Sequence, residues 1–139
     1  MRIVLDTNCL LQILGAHSKY HFLFNEFLGD GYILCVSTDI LFEYEEILKQ
    51  KASVTAADLF LKIIAKSKNV IRRDPFFRFG LVKRDLDDNK FVDCAIVSQA
   101  DYIVTDDNHF QDVDESAFPV VPIISLDAFA ELMNSNQQT

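Results

Sequence analysis

The chain has 139 residues, half of them hydrophobic, and a formal charge of −8. That is the size of one domain with enough apolar side chains for a single core, which excludes long disorder. No apolar run approaches the ~20 residues that span a bilayer, and the acidic sum argues at first against a nucleic-acid partner.

The distribution of charge matters more than its total. Lys62, Lys66, Lys68, Arg72, Arg73, Arg78, Lys83 and Arg84 are eight of the thirteen basic residues, with Asp74 the one acid among residues 68–84. No Lys or Arg follows Lys90, while acids continue to Glu131. A basic middle can be a solvated face or a phosphate-contacting patch. Cys9, Cys35 and Cys94 are odd in number, widely spaced and set among apolar residues, so they read as reduced core thiols. Asp6 interrupts the first apolar stretch, so no signal peptide is read and the expected compartment is the cytoplasm.

Ile3, Val4 and Leu5 form a short apolar run ending at Asp6-Thr7-Asn8, which reads as a buried strand with a carboxylate at its C-terminal edge. Residues 9–14 form a short helical turn ending at Gly15. Ser18 is the expected cap of a helix over 19–28, stopped by Gly29-Asp30-Gly31. Residues 32–36 are a second strand. A helix then runs from the capping run Ser37-Thr38-Asp39 to about Gln50, with Ile40, Leu41, Tyr44, Ile47 and Leu48 on a 3.6-residue period.

Ser53 begins another helix with Leu59, Phe60, Ile63 and Ile64 inward, and residues 69–71 are a third strand. Residues 74–87 are irregular. A helix is expected from Asp88 to Ala100, a fourth strand over 102–104, an acidic loop over 106–118, and a last strand over 120–124. Pro122 suits that strand to a sheet edge. Ser125 caps a terminal helix over 126–133. The expected organisation is one domain over 1–134 and a frayed polar tail over 135–139.

Strands alternating with helices predict an α/β fold with a parallel sheet and right-handed crossovers. In the order 3-2-1-4-5 the winding reverses between the first and fourth strands, where such sheets place ligands. Those strands end in Asp6 and in Thr105-Asp106-Asp107. Glu43 lies about one turn into the helix after strand two, and Asp88 opens the helix before strand four. Each acid alone has a plain reading as a cap, a loop acid or part of a solvated face. Together at one sheet edge they would repel one another, and a hard divalent cation, Mg²⁺ or Mn²⁺, relieves that repulsion.

D-T-N at 6–8, V-S-T-D-I-L-F-E-Y-E-E-I-L at 36–48, R-D-L-D-D-N-K-F-V-D-C-A at 84–95 and A-D-Y-I-V-T-D-D-N-H-F at 100–110 together resemble the PIN-domain family. The likeness is closest to its small bacterial toxin-like branch. It implies a three-layer α/β/α fold with a five-stranded parallel sheet and a metal-dependent ribonuclease. The four acids then match Asp6, Glu43, Asp88 and Asp107, with Asn8, Thr105 and Asp93 as supporting positions and Asp85 as a further match. The family's small residue before the fourth acid is Asp106 here, so either Asp106 or Asp107 faces the metal, and register favours Asp107. The implied mechanism has Asp6, Asp88 and Asp107 binding one or two Mg²⁺ ions while Glu43 binds metal or orients the attacking water. The implied products carry a 5′-phosphate and a 3′-hydroxyl.

Residues 72–79 interleave cations with Phe, the composition of a single-strand contact surface as well as of core packing. Lys62, Lys66, Arg72, Arg73 and Arg78 are thus candidate RNA contacts. His17 and His21 share a helical spacing without a matching acid, and His109 sits in the loop after Asp107. The expected partners are RNA, a protein antitoxin and a second copy of the chain, with no membrane. The alternatives are an inactive PIN-like module that binds RNA or protein, and a Mg²⁺-dependent phosphohydrolase using Asp6 as nucleophile. The latter wants an acid where Asn8 stands.

Overall fold

The computed structural model describes residues 1–76, 89–108, 110 and 121–137. The expectations for 77–88 and most of those for the acidic loop at 106–118 lie outside the described residues. Five strands form one parallel sheet: β1 (Arg2–Leu5), β2 (Ile33–Val36), β3 (Val70–Arg72), β4 (Tyr102–Val104) and β5 (Ile123–Ile124). Their order is β3-β2-β1-β4-β5, as the alternation of strand and helix predicts. Ile3, Val4, Leu5, Leu34, Cys35, Val36, Ile103 and Val104 are almost wholly buried, which is why these strands read as unbroken apolar runs.

The six described helices are α1 (Thr7–Leu14), α2 (Phe22–Leu28), α3 (Thr38–Lys51), α4 (Val54–Lys66), α5 (Asn89–Val97) and α6 (Leu126–Gln137). Serines cap three of these helices, as their sequence positions predict. Ser37 Oγ accepts from Ile40 N at 3.3 Å, Ser53 Oγ from Ala56 N at 2.9 Å and Ser125 Oγ from Ala128 N at 3.0 Å. Each fills one of the N–H positions a helix start leaves open.

Four expectations are corrected. The second helix starts at Phe22, because Ser18 Oγ accepts from Tyr20 N at 3.1 Å and holds a turn there instead of a cap. Leu59 is 59% exposed. The inward stripe of α4 is Ala57, Phe60 and Ile64, and Leu59 lies one residue, about 100°, off it. α5 ends at Val97: Gln99 takes a left-handed φ of 54°, while Ala100 N reaches Ala95 O (2.9 Å) and Gln99 N reaches Ile96 O (3.2 Å). That pair of bonds closes the helix end as a Schellman motif. Finally, α6 continues to Gln137, so residues 134–137 belong to a helix.

The register decides what the sheet does for function. Leu5 is paired with Val104, and Asp6 N donates to Val104 O at 3.0 Å. Asp6 and Thr105 therefore leave neighbouring strands at the same level of the C-terminal edge. α3 packs on α4, and α5 packs on β1, β2 and β4. The Tyr44 hydroxyl of α3, fully buried, donates to Leu5 O at 2.5 Å and pins that helix over the last residue of β1. No helix among the described residues is long and apolar enough to cross a membrane.

Candidate active site

Asp6 both caps α1 and ends β1. Its Oδ1 accepts from Asn8 N at 3.3 Å, and its Oδ2 accepts from the Thr105 hydroxyl at 2.8 Å. Only 7% of the residue is exposed, and Thr105 is 4% exposed. The same Thr105 oxygen accepts from Asp107 N at 3.0 Å, so one hydroxyl fixes the first acid and the backbone of the fourth. Burial raises the Asp6 carboxyl above the ordinary range; the bonds from Thr105 and Asn8 oppose that, and the charges of Asp107 and Glu43 add to it.

Asp106 and Asp107 have different tasks. Asp106 Oδ1 accepts from Leu126 N at 3.1 Å, tying the β4 exit to the start of α6, where a carboxylate complements the helix dipole. The charge of Asp107, by contrast, bears on Asp6.

Glu43 lies on α3 and is held on both oxygens. The Thr7 hydroxyl donates to Oε2, and Lys90 Nζ lies 2.8 Å from Oε1. Neither Thr7 nor Lys90 was singled out from sequence. Thr7 sits inside the D-T-N motif. Lys90 carries no local signal, since its partner lies 47 residues away along the chain.

Asp88 lies outside the described residues, which resume at Asn89. Asp93 is described: it is 1% exposed on α5, three residues after Lys90 and so on a neighbouring part of the same helix face. Asn8 is exposed, and its backbone N–H makes the bond to Asp6. Cys9 is buried beside the acids; burial first, then Asp6 and Asp106, push its thiol up to about 12, which leaves it protonated and unsuited to nucleophilic attack.

The expected RNA-contacting cations are not gathered in the same way. Lys62 and Lys66 are exposed on α4. Arg72 Nη2 donates to Thr38 Oγ1 at 2.8 Å, and Asp74 accepts from Thr38 N at 2.7 Å and from Thr38 Oγ1 at 3.0 Å. Arg72 and Asp74 therefore hold the start of α3. Arg73 is exposed. Arg78, Asp85 and His109 lie outside the described residues. His17 is exposed, and His21 Nδ1 sits 3.1 Å from Ile13 O, so the two do not make a metal-binding pair here.

Among the described residues, no three His, Cys, Asp or Glu side chains converge as a ready ligand set. The donor chemistry still fits a hard cation. Mg²⁺ is commonly held by one or two carboxylates and completed by water, and Asp6 and Asp107, which follow two adjacent strands, would supply such a pair. The buried Asp6 charge is the feature a cation would stabilise.

Comparison with known proteins gives a consistent picture. A family model described as "PIN domain" matches residues 2–109. No curated protein matches the sequence. Among solved structures, a chain of the VapBC2 complex of Rickettsia felis, bound to a DNA fragment from its promoter, superposes with a TM-score of 0.61 at 18% identity. The match covers 90% of this chain and 98% of that one. VapC20 of Mycobacterium tuberculosis, a sarcin-ricin-loop-cleaving toxin, gives 0.58 at 15% identity over 78% of this chain and 93% of that one. The PIN domain endonuclease Utp24 gives 0.51 at 21% identity over 89% and 84%. At these identities the solved structures speak to the fold alone, while the family model spans 108 of the 139 residues, and on that match the chain belongs to the PIN domain family.

Proposed function

We propose that the protein is a Mg²⁺- or Mn²⁺-dependent endoribonuclease, acting as the toxin of a toxin–antitoxin pair. The observation that carries the reading is the buried Asp6 carboxylate at the β1–β4 junction, held by Thr105 and raised in pKa by burial and by Asp107 and Glu43. Such a group is costly unless a cation is bound. PIN domains typically use divalent metals, and the structural neighbours include VapC20, a toxin that cleaves the sarcin-ricin loop.

In this reading Asp6, Asp107 and a carboxylate from α5 or the chain just before it hold the metal, with Asp88 the family match and Asp93 the buried acid beside it. A bound divalent ion supplies an activated water and neutralises charge on the phosphorus oxygens during in-line displacement. Thr105 holds the Asp6 carboxylate in one orientation. Glu43, held by Thr7 and Lys90, binds the metal or orients the attacking water. Arg73, Lys62 and Lys66 contribute phosphate contacts, with Arg72 divided between RNA and Thr38. An antitoxin would cover apolar surface, and a groove of about 440 Å³ bordered by Leu11, Leu14, Phe24, Leu48, Leu59 and Ile63 supports that part of the reading.

The test is cleavage of RNA with Mn²⁺ or Mg²⁺. We expect activity that EDTA abolishes and added metal restores, with Asp6→Asn at least about 100-fold slower, as for loss of a group central to charge stabilisation. Comparing Asp88→Asn with Asp93→Asn ranks the two α5 acids. RNA binding without turnover, unchanged in Asp6→Asn, would instead support an inactive binding module.

A further inference from the structure

We propose that Lys90 is a cation built into the acidic crevice, which contests Glu43 with the divalent ion and so lowers the affinity with which that ion is held. This rests on the metal-dependent reading above and adds a positioning residue to it. Lys90 Nζ lies 2.8 Å from Glu43 Oε1, and the Thr7 hydroxyl takes Oε2, so both Glu43 oxygens are already engaged. The two side chains are only 16% and 27% exposed, which shields the pair from salt more than a surface bridge.

The position of Lys90 is itself informative. It lies on α5, beside the buried Asn89 and Phe91. Its ammonium also sits 5.4 Å from the centre of the Phe91 ring, whose side chain is buried. α5 and α3 pack against each other, so the lysine meets its carboxylate across two elements. A divalent ion held by Asp6 and Asp107 needs the same negative field that Lys90 already partly neutralises. Ion and ammonium repel each other and compete for Glu43. Removing the ammonium frees Glu43 Oε1 for the ion, with Thr7 still on Oε2; moving the charge onto a guanidinium keeps the contest.

The experiment is Mn²⁺ binding by calorimetry and by the paramagnetic resonance of free Mn²⁺, on the full chain. Wild type is compared with Lys90→Gln, Lys90→Met, Lys90→Arg and Asp6→Asn; the Met variant keeps the apolar stem against Phe91 should Gln fail to fold. We expect Lys90→Gln and Lys90→Met to bind Mn²⁺ about tenfold tighter or more, as removal of one nearby charge at an effective dielectric near 20 implies. Lys90→Arg should stay within about threefold of wild type, because the charge is retained. Affinity in Lys90→Gln and Lys90→Met equal to or weaker than wild type, with binding still dependent on Asp6, overturns this proposal and leaves the metal reading standing. Equal tightening in Lys90→Arg also overturns it, since charge would not be the cause. Binding that Asp6→Asn does not weaken takes down the metal reading and this proposal together.

Discussion

Asp6 carries its charge where water barely reaches, and its two oxygens are satisfied by one hydroxyl and one backbone N–H. Burial, above all, holds its carboxyl above the ordinary carboxylate range. The folded chain therefore keeps that proton to a higher pH than the unfolded chain. The sign follows: metal-free stability declines as pH rises from the unfolded value through the raised folded one, and stays reduced above it. Asp6→Asn removes the buried charge, and asparagine caps a helix as well as aspartate. In EDTA at neutral pH we expect the variant to melt at or above wild type, by about 2–4 °C for each kcal/mol relieved. Below the unfolded value of Asp6 that advantage should vanish. Mn²⁺ should raise the melting temperature of wild type and not of the variant. A variant several degrees less stable than wild type at neutral pH would show that the charge is structurally useful without metal. Asp6 and Thr105 were readable from sequence because each ends an apolar strand run. Thr7 and Lys90 were not, because their partner Glu43 lies 36 and 47 residues away along the chain.

Elements make those residues meet, and their ends were unevenly legible. Starts capped by Ser37, Ser53 and Ser125 could be read, since a short hydroxyl side chain satisfies an N–H three residues on. The end of α5 could not: a Schellman closure with Gln99 at φ 54° uses a residue that carries no glycine-like signal. The inward face of α4 was blurred for a related reason, because Leu59 beside Phe60 looks equally apolar in a one-dimensional pattern. Placement of Glu43 depends on how α3 sits over β1, which the Tyr44–Leu5 bond sets. Tyr44→Phe leaves the buried Leu5 carbonyl without that donor, and we expect about 1–3 kcal/mol of destabilisation in a denaturant titration. RNA cleavage should fall further than stability alone accounts for, because Glu43 loses its fixed position. Unchanged stability would mean that Tyr44 is held by packing, including its edge contact with the Phe60 ring at 6.1 Å.

At the scale of the molecule, the strand order does the gathering. Reversal of winding between β1 and β4 brings residues 6 and 105, nearly a hundred positions apart, within one hydrogen bond. The alternation of apolar runs and helical periods made that topology legible, since few parallel arrangements are available to five strands with right-handed crossovers. The distribution of basic residues was less informative. Arg72 serves the start of α3, so a cation-rich stretch in sequence is partly scaffold in space. The central claim is that acids drawn from separate elements share one cation. It is tested most directly by crystals grown with Mn²⁺ and measured for anomalous scattering. We expect a peak within about 2.0–2.4 Å of carboxylate oxygens of both Asp6 and Asp107, with an acid of the α5 region completing the set. Ordered density for Asp6 and Asp107 at saturating Mn²⁺ with no peak between them would contradict it.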